Sequence, residues 1–382
     1  MNQRYCLIPE GGINITPNGT ITPCCILSKD EQGFGHISKD KLQDIFYGKE
    51  YSDFRERHRS GDLPKVCIEN CIQRGTNFVH INVRNGIIRR AELAGYKPKD
   101  RAQLVTVDMG LGNICTLSCT FCNEDFSSSW AKLKSKSFKI HSFDKPTTLR
   151  VVEDLKGITY LSLKGGEPFN IPYLESFLEQ LLIQSPNCIL DIVTNATEIS
   201  DRILQILGKF PQVIVTVSIE SIDPLYSYLR GGKYTWSHVL KNIERLYSIG
   251  IRDINISSLI LFYNHRTWAE HMLQIYQDIK KFHKGPLGIS AQLCLGPKAQ
   301  SLFLLDQQKR QALVDNIRYY HNKGLEIGGL ENMLTAIITP RPLLDVSRQK
   351  IIEQINFNDK RRGMELFNLV GPILEDIDTG YN

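Results

Sequence analysis

From about residue 103 the chain alternates short apolar, β-branched runs with longer stretches whose apolar residues recur every three or four positions. The runs are "LVTVDMG" (104–110), "ITYLSLKGG" (158–166), "ILDIVTNA" (189–196), "VIVTVSIES" (213–221), "INISSLILF" (254–262) and "LGISAQLCL" (287–295). Most gaps between the later ones hold an amphipathic helix pattern, as in "YLESFLEQLLIQ" (173–184) and "WSHVLKNIERLYSIG" (236–250), with the apolar positions gathered on one face. Six strands alternating with helices predict parallel βα units, because a parallel pair needs a crossover long enough to contain a helix. After residue 303 the pattern is mainly helical, and no fixed-period repeat or low-complexity tract is visible.

The first hundred residues read differently. They carry the turn signals "PEGG", "PNGT" and "KDEQGFG", two short strands around "INITP" and "TITPC", and one helical stretch over 40–61. A loop-rich unit of this size has too thin a core to stand without a staple. The expected organisation is therefore a small module over 1–100, an α/β core over 101–302 and a helical extension over 303–382.

Composition narrows the chemistry. At 382 residues, 42% hydrophobic and 23% charged, the chain is long enough to bury a substantial core and is neither disordered nor fibrous. It has no basic-then-apolar leader at its start and no run near the roughly 18 apolar residues of a membrane helix, so a cytoplasmic location is expected. Disulfides are unstable there, so ten cysteines, mostly in tight groups, point to metal or redox chemistry. The net charge of +5 is mild and its charges are interspersed, which gives nucleic acid little support as a partner. The densest basic cluster, Lys132, Lys134, Lys136 and Lys139, reads as the solvated face of a helix.

Three cysteines, Cys115, Cys119 and Cys122, stand in "CTLSCTFC" just after the first core strand, where parallel folds place their chemistry. Thiolates at this spacing can converge on one metal centre. No fourth Cys or His follows before His141, so a structural zinc lacks its fourth ligand, whereas a 4Fe-4S cluster would keep one iron open. The CxxxCxxC spacing, with Phe121 ahead of the last cysteine, resembles the signature of radical S-adenosylmethionine enzymes. "LKGGEP" (163–168) closes the second strand and matches that family's GGE motif, placing Gly165, Gly166 and Glu167 at the cofactor's amino group. Two glycines permit close backbone approach and a carboxylate suits an ammonium. By the same resemblance Asn195, Ser218 and Glu220 lie near the ribose and methionine parts, and Arg230 pairs with the cofactor carboxylate. The resemblance covers about residues 103–300 and implies a partial (β/α)6 TIM-like barrel.

A second set occupies the N-terminal hundred residues: Cys6, Cys24 with Cys25 adjacent, and Cys67 and Cys71 in "LPKVCIENC". This segment resembles the SPASM or twitch modules that bind auxiliary iron-sulfur clusters, although such modules usually follow the core. Cys6, Cys24, Cys67 and Cys71 supply four thiolates, enough for one fully ligated 4Fe-4S cluster; a zinc knot is the alternative, because four cysteines alone do not distinguish the two. Cys24 is preferred over Cys25 because it keeps the spacing from Gly19.

The resemblance implies two 4Fe-4S clusters and S-adenosylmethionine as cofactors, a reducing partner such as flavodoxin or ferredoxin, and hydrogen abstraction from substrate by a 5′-deoxyadenosyl radical. A ribosomally made peptide is the expected substrate, with crosslinking, oxidation or epimerisation as outcome; dehydrogenation of a small metabolite is the alternative, and a zinc-stapled binding protein the non-enzymatic one. Cys294, near the carboxyl end of the sixth strand, is a candidate hydrogen donor against the plainer reading of a small buried hydrophobe. Ser129 in "SSSW" is expected to cap a helix. The tail "FNDKRRGMELFNLVGPILEDI" (357–377) has no assigned role, with Arg361 and Arg362 read as surface charges.

Overall fold

All six core runs form strands: β4 (Thr106–Gly110), β5 (Tyr160–Lys164), β6 (Ile189–Thr194), β7 (Gln212–Ser218), β8 (Asp253–Ile260) and β9 (Gly288–Leu293). In this computed structural model, which describes residues 6, 8–25, 27, 33–68, 92, 93, 95, 102–134, 139–342, 344–378 and 380, they pair in sequence order, each parallel to the next. Helices fill every crossover, including Lys145–Asp154, Leu174–Gln184, Asp201–Leu207, Trp236–Ser248 and Trp268–Lys280. The result is the expected α/β architecture with six parallel βα strands.

The period-2 pattern sorts the two faces of the sheet. Val213, Val215 and Val217 of β7 and Ile254, Ile256 and Ile260 of β8 are buried in one continuous core with Phe177, Leu181, Val239 and Met272 of the crossover helices. The inner face is polar over most of its height: Tyr160 donates to Asp191 Oδ2 at 2.8 Å, and Lys164 pairs with Asp108. A small apolar plug of Val105, Tyr160, Ile189 and Ile214 closes the amino-terminal end of the strands. The opposite end is thereby left to polar groups.

The N-terminal segment does not stand beside this sheet but continues it. β1 (Gly12–Ile15) runs parallel to β4, from Gly12 opposite Thr106 to Ile15 opposite Met109. It turns back through an antiparallel hairpin into β2 (Thr20–Thr22), and β3 (Gly35–His36) forms the sheet edge. Ile13, Ile15, Ile21, Leu42, Phe46 and Tyr51 consequently share the core of the larger unit. The thin core expected for this segment is thickened by its neighbour. The predicted single helix over 40–61 is broken at Gly48 into Leu42–Tyr47 and Lys49–Ser60, because Gly48 is extended, at φ −66° and ψ 163°. Tyr51 Oη donates to the Gly12 carbonyl at 2.7 Å, and Arg59 grips buried Glu10 through two bonds of 2.7 and 2.6 Å, so the second of these helices is tied to the start of β1.

The C-terminal stretch is helical as expected, with Gln307–Asn322, Leu330–Ile338, Arg348–Arg362 and Leu366–Val370. Asp306 and Ser347 cap the first and third of these, accepting from Lys309 N and Lys350 N, the role short polar side chains play at helix starts. Among the described residues, no helix is long and apolar enough to cross a membrane.

Candidate functional site

The cysteine loop leaves β4 at its carboxyl end, and neighbouring segments hold it through its backbone. Fully buried Asn113 donates to the Glu124 carbonyl at 3.1 Å and accepts from His141 N at 2.9 Å. Ser128 Oγ accepts from Cys115 N at 3.1 Å, and Ser129 Oγ donates to the Cys115 carbonyl at 2.8 Å. Ser127 Oγ donates to the Leu117 carbonyl at 2.7 Å, and the Trp130 indole N–H to the Cys119 carbonyl at 2.6 Å. Ser127, which accepts from Trp130 N at 3.3 Å, performs the capping expected of Ser129. The cap moves because Ser129 lies inside the helix Ser128–Lys134 and its hydroxyl faces the cysteine loop. "SSSW" is thus part of the site, which its composition alone did not reveal: an N-cap and a loop-binding serine look the same in sequence.

Cys115 and Cys119 are buried and Cys122 half-buried, in one cluster with Leu117, Phe121 and Tyr234. Burial pushes all three thiols up, Cys122 to about 12, and the neighbouring sulfurs add to the effect on Cys115 and Cys122. Thiolates are therefore unfavourable here without a positive partner, which is the condition a metal centre relieves. Among the described residues no three Cys, His, Asp or Glu side chains converge as ligands of a single ion do. A 4Fe-4S cluster asks for something different, one thiolate on each ligated iron, and three thiols on one loop fit that demand.

The GGE turn docks directly on this loop. Gly165 has φ 125°, and a Cβ there would lie 2.8 Å from the Gly112 carbonyl oxygen; one on Gly166 would lie 2.3 Å from that of Ile114. Gly166 N and Glu167 N donate to Gly112 O and Ile114 O at 3.1 and 2.7 Å. The close approach that these glycines permit is to the cysteine loop. Glu167 is buried and accepts from Thr194 Oγ1 at 2.6 Å, Asn195 N at 2.7 Å and Phe169 N at 3.1 Å. Burial raises its carboxyl to about 7, against the hydrogen bonds that favour the charged form. It lies within electrostatic reach of Cys115.

The other sequence-predicted residues divide. Asn195 Nδ2 lies 3.8 Å from Cys115 Sγ and Arg230 Nη1 3.8 Å from Cys119 Sγ, so both meet the loop. Arg230 also lies over the Phe121 ring at 5.4 Å and binds Glu220 through two bonds of 2.6 Å, both partners buried. Ser218 ends β7 on the inner face, opposite Ser257. Cys294 follows β9 at its carboxyl end, within electrostatic reach of Glu220; it is 2% exposed and packed in the apolar core, its thiol donating to the Gly296 carbonyl at 3.1 Å. Burial pushes that thiol to about 12.

In the N-terminal segment Cys6 and Cys24 both lie within electrostatic reach of buried Tyr51, and Cys67 Sγ is 3.7 Å from His58 Nε2. Cys25 instead lines a cleft, and Cys71 lies outside the described residues. That cleft, of about 910 Å³, runs between the β1–β2 hairpin (Asn14, Thr16, Asn18, Thr20, Thr22), the turn after the cysteines (Asn123, Asp125, Phe126), His141, and Lys164 and Gly165. It reaches from Cys25 and the β1–β2 hairpin to the GGE turn.

Residues 109–279 match the family model described as the radical SAM superfamily, and residues 6–72 match SPASM, an iron-sulfur cluster-binding domain. A GTP 3′,8-cyclase of Sulfurovum sp. (strain NBC37-1) is 23% identical over 137 residues, 36% of this chain and 40% of that protein. Among solved structures, native anSMEcpe with bound AdoMet has a TM-score of 0.43 at 20% identity, covering 62% of this chain and 66% of that one. Streptococcus suis SuiB bound to precursor peptide SuiA has a TM-score of 0.44 at 15% identity, covering 67% and 55%. The chain thus spans less than half of the curated relative and less than two thirds of either structure.

Proposed function

We propose that this chain, which belongs to the radical SAM superfamily and carries an iron-sulfur cluster-binding SPASM domain ahead of its core, is an enzyme that abstracts a hydrogen atom from a peptide. The single observation that carries the reading is the docking of the GGE turn on the three-cysteine loop at the carboxyl ends of β4 and β5. When bound, the 4Fe-4S cluster and S-adenosylmethionine supply the one-electron reductive cleavage that yields the 5′-deoxyadenosyl radical.

The chain's own residues hold and orient. Cys115, Cys119 and Cys122 would carry the cluster, with Ser127, Ser128, Ser129 and Trp130 fixing the loop between them. Gly165, Gly166 and Glu167 would receive the cofactor's amino group beside that loop; Asn195, Ser218, Glu220 and Arg230 would line its remaining parts. The cleft supports a peptide: its hydroxyl and amide side chains suit the repeating donors and acceptors of a backbone, and its walls would shield the reacting carbon from water. Cys6, Cys24, Cys67 and Cys71 would hold the auxiliary cluster, with Cys24 favoured over Cys25 because it keeps the spacing from Gly19. Flavodoxin or ferredoxin would supply electrons.

Anaerobic incubation with dithionite and S-adenosylmethionine tests this. The wild type should release 5′-deoxyadenosine slowly even without substrate, and Cys119→Ala should abolish it. Cleavage retained in Cys119→Ala at the wild-type rate would remove the loop from the reaction.

A further inference from the structure

The two arginines read from sequence as surface charges lie against the cysteine loop. The helix Arg348–Arg362 ends at Gly363, and its last residue reaches back across the fold. Arg362 Nη2 donates to the Ser118 carbonyl at 2.6 Å, Nη1 to Ser118 Oγ at 3.1 Å, and Nε to the Tyr228 carbonyl at 2.8 Å. Ser118 stands directly before Cys119. Gly231, at φ 69°, makes room: a Cβ there would lie 2.0 Å from Arg362 Nη1. Arg361 lies over the Trp130 ring at 4.4 Å and the Phe357 ring at 5.3 Å, and Trp130 is the residue that binds the Cys119 carbonyl. Asp359 fixes the helix end by accepting from Tyr228 Oη at 2.7 Å and Leu366 N at 3.0 Å.

The charge balance around Cys119 gives this clamp its consequence. Arg230 also approaches Cys119, but Glu220 neutralises it. Neither Arg361 nor Arg362 has a carboxylate at ion-pair distance among the described residues, and Nε and Nη1 of Arg361 are buried without a hydrogen-bond partner. Two uncompensated cations therefore face this loop in a partly buried setting, where charge interactions are stronger than in water. An electron added to a thiolate-ligated cluster increases its negative charge, and nearby fixed charge and hydrogen bonding set how readily it is accepted.

Resting on the reading that Cys115, Cys119 and Cys122 hold a cluster, we propose that Arg361 and Arg362 are positioning residues for it, Arg362 clamping the Ser118 turn, Arg361 lying over the Trp130 that binds the Cys119 carbonyl, and both raising the cluster's reduction potential so that an external one-electron donor can reduce it.

The test is an EPR-monitored redox titration of the anaerobically iron-loaded full chain, following the signal that changes when S-adenosylmethionine is added. At the wild-type midpoint, Arg361→Gln should raise the oxidised-to-reduced ratio about tenfold, equivalent to a potential about 59 mV lower for a one-electron couple, and Arg361→Lys, which keeps the charge, should restore it. Arg362→Gln should shift in the same direction. Arg361→Gln with full iron content and an unchanged midpoint overturns the proposal, even if Arg362→Gln fails to fold. A wild-type loop that takes up no iron would overturn the underlying reading instead.

Discussion

At Gly166, in the turn after β5, the backbone comes so close to the cysteine loop that a methyl group would sit 2.3 Å from a carbonyl oxygen. Backbone on that side is also held by the Glu167 N bond to Ile114 O, so it cannot retreat without losing that bond. Gly166→Ala should destabilise the metal-free protein by about 1–3 kcal/mol, read as a lower denaturant midpoint, and should reduce iron uptake by the loop. Residues of this kind were legible in sequence because type and spacing together carry the signal: three cysteines in eight positions and GGE at a strand end. Ser127, Ser128, Trp130, Arg361 and Arg362 were not. Ser127, Ser128, Trp130 and Arg362 act on main-chain oxygens or amides of the loop from 10 to 244 positions away, and Arg361 lies over the Trp130 ring; no local pattern records that a serine or arginine will find a distant partner.

Among elements, the strands were legible and their neighbours only partly so. Alternating apolar residues predicted β4 to β9, and parallel order followed from the helices between them. The pairing of β1 with β4 joins segments more than 90 positions apart; nothing in a four-residue strand declares its partner. The tail is attached in a similar way. Asp376, 1% exposed, accepts from His265 Nε2 at 3.0 Å and Arg266 Nε at 2.6 Å and pairs with Lys309 at 2.9 Å. These partners hold its carboxyl well below the usual carboxylate range despite burial. A depressed folded-state pKa contributes stability that is present above the unfolded value and lost as pH falls through the folded one. Stability should therefore drop as pH falls below about 4. Asp376→Asn should cost about 1–3 kcal/mol at neutral pH and flatten that acid limb, as followed by urea unfolding across pH.

On the scale of the whole molecule, the described residues form one nine-stranded sheet, with the cysteine loop following β4 and Cys24 following β2. The hairpin β1–β2 forms one wall of the cleft and the GGE side of the core another, so a substrate there would lie between the N-terminal segment and the GGE turn. The helical extension closes the arrangement from behind, with Arg362 on the cysteine loop and Asp376 on the segment after β8. The architecture was expected from the alternation of elements, but this enclosure was not, since it depends on how the last 80 residues fold back. The central claim is that both cysteine sets bind 4Fe-4S clusters, and iron and acid-labile sulfide analysis of anaerobically prepared protein tests it most directly. The wild type should contain about eight of each per chain, from two four-iron clusters, and replacing Cys115, Cys119 and Cys122 together by Ala should remove half. Stoichiometric zinc in freshly isolated, folded protein without iron would contradict the account.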